Sequence, residues 1–412
     1  MVIDSLKYNG PCSCGKEHKM ETVFSVIESG CLKNISQYME EYGLGGYTVA
    51  VYDDHTYSAT ADRHPNADFE IILPSENLHA NEHGVALLSA RLPAETEVLI
   101  AVGSGTIHDI VRYCAYQKGV DFVSCPTAAS VDGFCSSVAA MTWNGCKKTL
   151  TAVAPKMVVA DIDVIKNAPI RLAKSGFGDM VGKYVALTDW KIASVIKGEF
   201  YCSRIADMTL EATEAVVRSV NGILQGEKKA FANLTYGLLL SGLAMQMMGN
   251  SRPASGAEHH ISHIIEMEPK GLSVHSDALH GEKVGVGTLL AIAEYKRLCE
   301  KNDPCFQDYK EFGRDQLLEI FGEDLLREIV KENENDAAKG ITAEDLKNCR
   351  QQIFAEVNKL PDINWLRSLY LDSGIKATLS EIGVDPQKAE DLLNYSPCVR
   401  NRLTLMRIKK CL

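Results

Sequence analysis

Five short β-rich runs in the first 165 residues, each set off from the next by a helix-length stretch, restrict this chain's fold more than any other feature. They are Tyr47–Tyr52, Phe69–Leu73, Val98–Val102, Val120–Ser124 and Met157–Ala160, all bounded by turn residues. Strands spaced in this way build βαβ units, and βαβ units build a mostly parallel sheet. Beyond about residue 165 the strand signal fades. Leu317, Leu318, Ile320, Phe321, Leu325, Leu326 and Ile329 recur at helical spacing, Lys331 to Lys339 is a polar break, and Thr342 with Asp345 makes a cap for a further helix. At 412 residues the chain is also longer than one hydrophobic core usually serves. An α/β domain over residues 1–165 and an all-helical domain over residues 166–412 are expected.

The net charge of -11 works against a general nucleic-acid or anionic-membrane role, because both need a basic face to meet phosphates. Neither the first ten residues nor any later window holds an apolar run of signal-peptide or bilayer-spanning length, so no membrane insertion and a cytoplasmic location are expected. Thirteen cysteines are scattered without a regular framework and read as reduced, mostly buried thiols. One local exception is Cys12-Ser13-Cys14-Gly15-Lys16-Glu17-His18, which reads as a glycine-centred turn, with a small metal knuckle as the alternative.

Directly after the Val98–Val102 run comes Gly103-Ser104-Gly105-Thr106-Ile107-His108-Asp109, leading into a helical stretch. Glycines here let backbone amides approach a pyrophosphate, and a helix N-terminus favours its charge; an ordinary turn is the competing reading, and the third glycine of the usual fingerprint is absent. Asp53 and Asp54 follow the Tyr47–Tyr52 run; either, with Asp53 nearer the strand, can accept adenosine ribose hydroxyls, or both are solvated loop acids. The loop Cys125 to Ser136 gathers small residues, hydroxyls and Asp132, as a surface beneath a cofactor would, or as helix caps would.

Five of the eleven histidines fall between His259 and His280. Ser255 with Glu258 makes a capping box, which starts a helix at Ser255 and puts His259 and His263 on one face. With His280 and Asp179 they offer four candidates for the three-ligand pattern of a catalytic zinc site, which leaves a coordination position open for substrate.

Together these stretches resemble the sn-glycerol-1-phosphate dehydrogenases in their bacterial form, a family of the dehydroquinate synthase and iron-type alcohol dehydrogenase superfamily. The matching stretches are Gly103 to Asp109, Pro126 to Ser136, Gly178-Asp179-Met180 with Lys183 and Asp189-Trp190, Ser251 to His263, His280-Gly281 to Gly287, and Tyr395-Ser396-Pro397 with Arg400-Asn401-Arg402. Similarity runs over most of residues 40 to 300; His108 is less typical inside the glycine loop, and residues 300 to 390 are more divergent. The resemblance implies a dehydroquinate synthase-like fold, with a Rossmann-like α/β nucleotide domain before an all-α metal- and substrate-binding domain. It implies metal ligands at Asp179, His259 and His280, and substrate contacts at Asp132, His263 and Asp179. Nucleotide contacts fall on Asp53, on Gly105, Thr106, Ile107, His108 and Asp109 beside Gly103, and on Thr127, Ser130 and Ser136. The cofactors implied are NAD or NADP and one divalent metal, zinc most often, nickel or iron otherwise.

The activity expected is reversible reduction of dihydroxyacetone phosphate to sn-glycerol 1-phosphate, with the metal polarising the C2 carbonyl and the nicotinamide delivering hydride. A proton is expected from a metal-ordered water or through His263, whose ordinary imidazole range suits transfer near neutrality. Lys183 or Arg252 supplies the phosphate's cationic partner, unless either is a structural ion pair. The rivals are a glycerol or polyol dehydrogenase, a dehydroquinate synthase-like lyase and a non-catalytic metal-binding protein. A homo-oligomer, dimer or higher, is the expected assembly.

Overall fold

The computed structural model describes residues 1–300 and 305–412. The chain divides into two compact units, Met1–Met180 with Glu211–Asn250, and Val181–Leu210 with Ser251–Leu412.

The first unit is built on a sheet of seven strands: β1 (Val2–Asp4), β2 (Phe24–Glu28), β3 (Tyr47–Asp53), β4 (Phe69–Leu73), β5 (Thr96–Gly103), β6 (Asp121–Pro126) and β7 (Met157–Asp161). Their order is β1-β2-β7-β6-β5-β3-β4. Only β1 runs antiparallel, on the edge beside β2; every other pairing is parallel. All five runs expected from the sequence are strands here, and β1 and β2 join them.

Both faces of the sheet are covered, which is why its strands are nearly continuous apolar runs. Ala50, Tyr52, Ile100, Val102, Val123 and Cys125 pack on one side with Ile35 and Met39. Val49, Val51, Leu99, Ala101 and Phe122 pack on the other with Ile107, Ile110 and Val111, which lie on α1 (Gly105–Lys118).

After β3 the chain crosses to β4 on one side, and it then returns to place β5 on the other side of β3. The carboxyl ends of β3 and β5 therefore meet where the connections diverge, which is where open α/β sheets bind their ligands. Val51 pairs with Ala101, so Asp53 and Gly103, each two residues further on, finish their strands side by side.

The first unit also holds two helices, α2 (Ile170–Val181), which belongs to it as far as Met180, and α4 (Lys228–Met248). The second unit holds α3 (Lys183–Lys197), α5 (Ala257–Met267) and α6 (His280–Cys299), followed by further helices, and no strand among its described residues. The helix expected near residues 312–330 is Arg314–Glu332, broken at Gly322, where φ is 70°. Thr342 caps Ala343–Asn358 as expected, its Oγ1 accepting from the Asp345 amide at 3.2 Å.

Strand gives way to helix after Asp161, close to residue 165, but compactness follows contacts rather than element type: helical residues up to Met180 and from Glu211 to Asn250 belong with the sheet. None of the twelve described cysteines is in a disulfide; the Cys146 side chain lies outside the described residues. No described helix is long and apolar enough to cross a membrane.

Helix α2 lies against the loop after β6 so closely that a Cβ on Gly176 would stand 2.1 Å from the Ala129 carbonyl oxygen. Gly176→Ala is therefore expected to destabilise the fold by about 1–3 kcal/mol, the usual cost of overpacking, read as a lowered urea midpoint. An unchanged midpoint would contradict this contact.

Candidate nucleotide loop and histidine cluster

The N-cap of α1, Ser104, makes no side-chain capping bond, and the first backbone bond of the helix runs from the His108 amide to the Ser104 carbonyl at 3.1 Å. The amides of the first turn, at Gly105 to Ile107, thus head a helix of 14 residues at the carboxyl end of β5. That is the arrangement that attracts a phosphate. Gly103 is needed for close approach, since a Cβ there would stand 2.6 Å from Ile107 Cβ.

His108 faces inward. Its Nδ1 lies 2.9 Å from the Ser104 carbonyl, its ring meets Phe134 edge-on at 4.9 Å, and burial pushes its pKa down to about 3. The neutral ring packs the loop base rather than presenting charge. Asp109 pairs with Arg112 at 3.1 Å. Arg112, which the motif search did not single out, is buried and donates to the carbonyls of Gly133, Phe134 and Val138 at 2.6, 3.2 and 2.9 Å. A single guanidinium on α1 thereby folds the loop after β6 over the glycine loop.

Thr127 donates its amide to the Gly103 carbonyl at 3.0 Å, Ser136 Oγ accepts from the Val138 amide at 3.1 Å, and the Ser130 carbonyl accepts from Ser175 Oγ at 3.3 Å. All three residues are buried. Asp53 caps the short helix Asp54–Ala59, its Oδ1 accepting from the Thr56 amide at 2.7 Å.

Asp132 and Asp179 come together within the first unit: the Asp132 amide donates to Asp179 Oδ2 at 3.0 Å. Asp132 Oδ2 accepts from Ser241 Oγ of α4 at 2.8 Å, so its carboxylate is aimed by the helix beneath it. Gln246, further along α4, donates to the Cys135 carbonyl of the same loop.

In the second unit His259, His263 and His280 cluster, with ring centroids 5.4 Å apart for His259 and His280, 6.0 Å for His259 and His263, and 5.8 Å for His263 and His280. His259 Nδ1 lies 2.7 Å from Glu258 Oε1, and His280 Nδ1 lies 2.9 Å from Glu266 Oε1. A carboxylate only accepts, so each Nδ1 carries a proton, and in the neutral ring it is Nε2 that keeps the lone pair. This is how metal-ligating histidines are oriented, by a carboxylate on the far nitrogen. The two glutamates were not legible as functional residues; Glu258 was read only as half of a capping box.

That box differs from the expectation. Helix α5 begins at Ala257, not Ser255, because Glu258 Oε1 reaches back to the Gly256 amide at 2.7 Å and the Ala257 amide is taken by Asp189 Oδ2 at 2.9 Å. Asp189 is fully buried on α3; its Oδ1 also accepts from Tyr295 Oη and from the Leu405 amide, each at 2.8 Å, and burial pushes its pKa up to about 7. Gly287 lets α6 approach α5, since a Cβ there would stand 2.6 Å from the Glu258 carbonyl oxygen.

Burial holds His263 well below the ordinary imidazole range, against the expectation of an unperturbed value, so its ring is neutral at pH 7. Of the two candidate phosphate cations, Arg252 is buried in a two-point ion pair with Glu199, at 2.8 and 2.9 Å, and donates to the Leu403 carbonyl at 2.7 Å. Lys183 is buried too, and its Nζ donates to the Ala254 carbonyl at 3.0 Å. Arg402, from the C-terminal signature, donates to Ser251 Oγ at 3.0 Å and so ties down the segment before α5.

A family model described as iron-containing alcohol dehydrogenase matches residues 26–169. The glycerol-1-phosphate dehydrogenase (NAD(P)+) of Geobacillus stearothermophilus is 33% identical over 408 residues, which cover 96% of this chain and 94% of that protein. The enzyme of the same name from Bacillus licheniformis is 31% identical, covering 97% and 92%. Among solved structures, an archaeal halo-thermophilic Red Sea brine pool alcohol dehydrogenase superposes with a TM-score of 0.63 at 14% identity, covering 96% of this chain and 97% of that one. A probable glycerol dehydrogenase from Sinorhizobium meliloti 1021 gives 0.56 at 17% identity, covering 91% and 96%. At these identities the likeness shows the fold, which is the dehydroquinate synthase-like one expected.

If the two carboxylate–histidine pairs orient ligands, Glu258→Gln and Glu266→Gln should each weaken divalent-metal affinity by roughly 10- to 100-fold while leaving the fold intact, as measured by chelator competition and circular dichroism. Unchanged affinity in both variants would show that the pairs are structural only.

Proposed function

This chain belongs to the glycerol-1-phosphate dehydrogenase family, and we propose from that premise that it reduces dihydroxyacetone phosphate reversibly to sn-glycerol 1-phosphate with NADH or NADPH. When bound, a divalent metal supplies polarisation of the C2 carbonyl oxygen, and the reduced nicotinamide supplies the hydride. Asp179, His259 and His280 hold the metal, each offering one ligand atom. The observation that carries this reading is the pair of glutamates that leave Nε2 of His259 and of His280 as the ligand nitrogens. One carboxylate and two imidazoles suit zinc, the metal we favour, and equally nickel or iron.

Asp132, held by Ser241, orients a substrate hydroxyl. The proton for the C2 oxygen comes from water, directly or relayed through the neutral ring of His263, which accepts at one nitrogen as it donates from the other. Lys183 or Arg252 supplies the cationic partner of the substrate phosphate. The amides of Gly105, Thr106 and Ile107 in the first turn of α1 take the pyrophosphate, Gly103 gives it room, and His108 and Asp109 hold that turn from behind. Thr127, Ser130 and Ser136 shape the floor beneath the nicotinamide half, and Asp53 takes the adenosine ribose. The nucleotide role thus falls to residues 1–165 and the metal and substrate roles mainly to residues 166–412. We read the protein as a cytoplasmic homo-oligomer.

The test is loss of reduced-nicotinamide absorbance when metal-loaded protein is offered dihydroxyacetone phosphate or, separately, dihydroxyacetone. Turnover should require the phosphate and the metal, and Asp179→Asn should lower kcat/KM by at least about 100-fold, in line with losing a metal ligand and its polarisation of the carbonyl. Turnover of the unphosphorylated ketone alone would replace this reading with a polyol dehydrogenase, and no net nicotinamide change with either would replace it with a lyase.

A further inference from the structure

The N-terminal hairpin carries a cluster that the dehydrogenase reading does not use. Gly10–Pro11 and Glu17–His18 pair antiparallel over two residues each, too short a ladder to hold itself in water. The turn between them is tight: the Cys12 amide donates to the Lys16 carbonyl at 2.9 Å, the Gly15 amide donates to the Cys12 carbonyl at 3.0 Å, and Gly15 takes a φ of +85°. This fold of the chain brings Cys12, Cys14 and His18 together, one potential ligand atom from each lying within 4.8 Å of the others.

The orientation of His18 is fixed by chemistry. Its ring is buried, and its Nδ1 lies 2.9 Å from the Met247 carbonyl at the end of α4. A carbonyl oxygen only accepts, so Nδ1 carries the proton and Nε2 presents its lone pair to the thiols, with Cys14 Sγ at 3.3 Å. A tetrahedral ion with a sulfur ligand at ~2.3 Å and a nitrogen ligand at ~2.0 Å sets those two atoms about 3.5 Å apart. The observed spacing is that of two neighbouring corners of such a site.

We propose that Cys12, Cys14 and His18 bind a second divalent ion of the zinc class, with a structural role. The ion pins the hairpin to the last turn of α4. The same turn is already bound to the N-terminal segment through Gln246, whose Oε1 accepts from the Glu21 and Thr22 amides at 3.0 and 3.2 Å and whose Nε2 donates to the Cys135 carbonyl of the substrate loop. The staple therefore reaches, through one helix end, the loop that carries Asp132. Binding releases the thiol protons, since the thiolate is the ligand form. The proposal is independent of the dehydrogenase reading.

The whole protein is loaded with Co2+ and its near-ultraviolet spectrum recorded, because thiolate-to-cobalt charge transfer appears there while a carboxylate and imidazoles give none. The wild-type protein should show the band and bind a second zinc equivalent. Cys12→Ser with Cys14→Ser should lose both the band and that equivalent, whereas Asp179→Asn should keep the band. Serine replacements at the remaining cysteines read whether a further thiolate completes the site. A wild-type spectrum without the band, and equal zinc content in wild type and double variant, would leave only a thiol–imidazole hydrogen bond and overturn the proposal. The wild-type spectrum decides even if the double variant fails to fold, and the nicotinamide assay stands apart from either result.

Discussion

A single buried carboxylate, Asp189, joins parts of the second unit that lie far apart in sequence. It caps the start of α5 at Ala257, receives Tyr295 from α6 and holds the backbone at Leu405. A carboxyl taken out of water costs free energy unless its oxygens are filled, and here three donors fill them. The register of α5 follows from this cap, and with it the direction of His259. Arg402 and Arg252 tie the preceding segment to the C-terminal strand of chain, so the histidines stand on a fixed helix. Gly287 then brings α6 close enough for His280 to join them.

The first unit solves the parallel problem with one buried cation. Arg112 gathers the Gly133 and Phe134 carbonyls of the loop after β6 and the Val138 carbonyl just beyond it, and binds Asp109 on its own helix, so the glycine loop and the loop after β6 are held together at the carboxyl ends of β5 and β6. The hydrophobic layers on both faces of the sheet make that junction rigid, while the open first turn of α1 gives it a field for negative charge.

The parallel sheet was legible because strands buried on both faces are written as continuous β-branched and apolar runs, as at Val98–Val102 and Met157–Ala160. β1 was not, since three residues carry no periodicity, and the apolar run of β2 is too short to distinguish strand from helix. The histidine spacing placed a helix here, but its start was set two residues too early because the carboxylate that accepts from the Ala257 amide is that of Asp189, 68 residues away in sequence. His108 looked like a loop residue and is a core ring, a difference that depends on Phe134 folding back over it. Arg252 was left between two roles, and Glu199, a partner far off in the chain, accounts for its charge. Glu258 and Glu266 pair with Nδ1 of His259 and of His280, contacts that only the three-dimensional structure exposes.

The central claim is that two glutamates hold two imidazoles with Nε2 ready for a metal. Proton–nitrogen correlation spectra of the histidine rings, recorded before and after addition of Zn2+, test it most directly. The account predicts that His259 and His280 keep their Nδ1 protons while their Nε2 signals move to metal-bound positions. Coordination through Nδ1, or rings that do not respond to the metal, would contradict it.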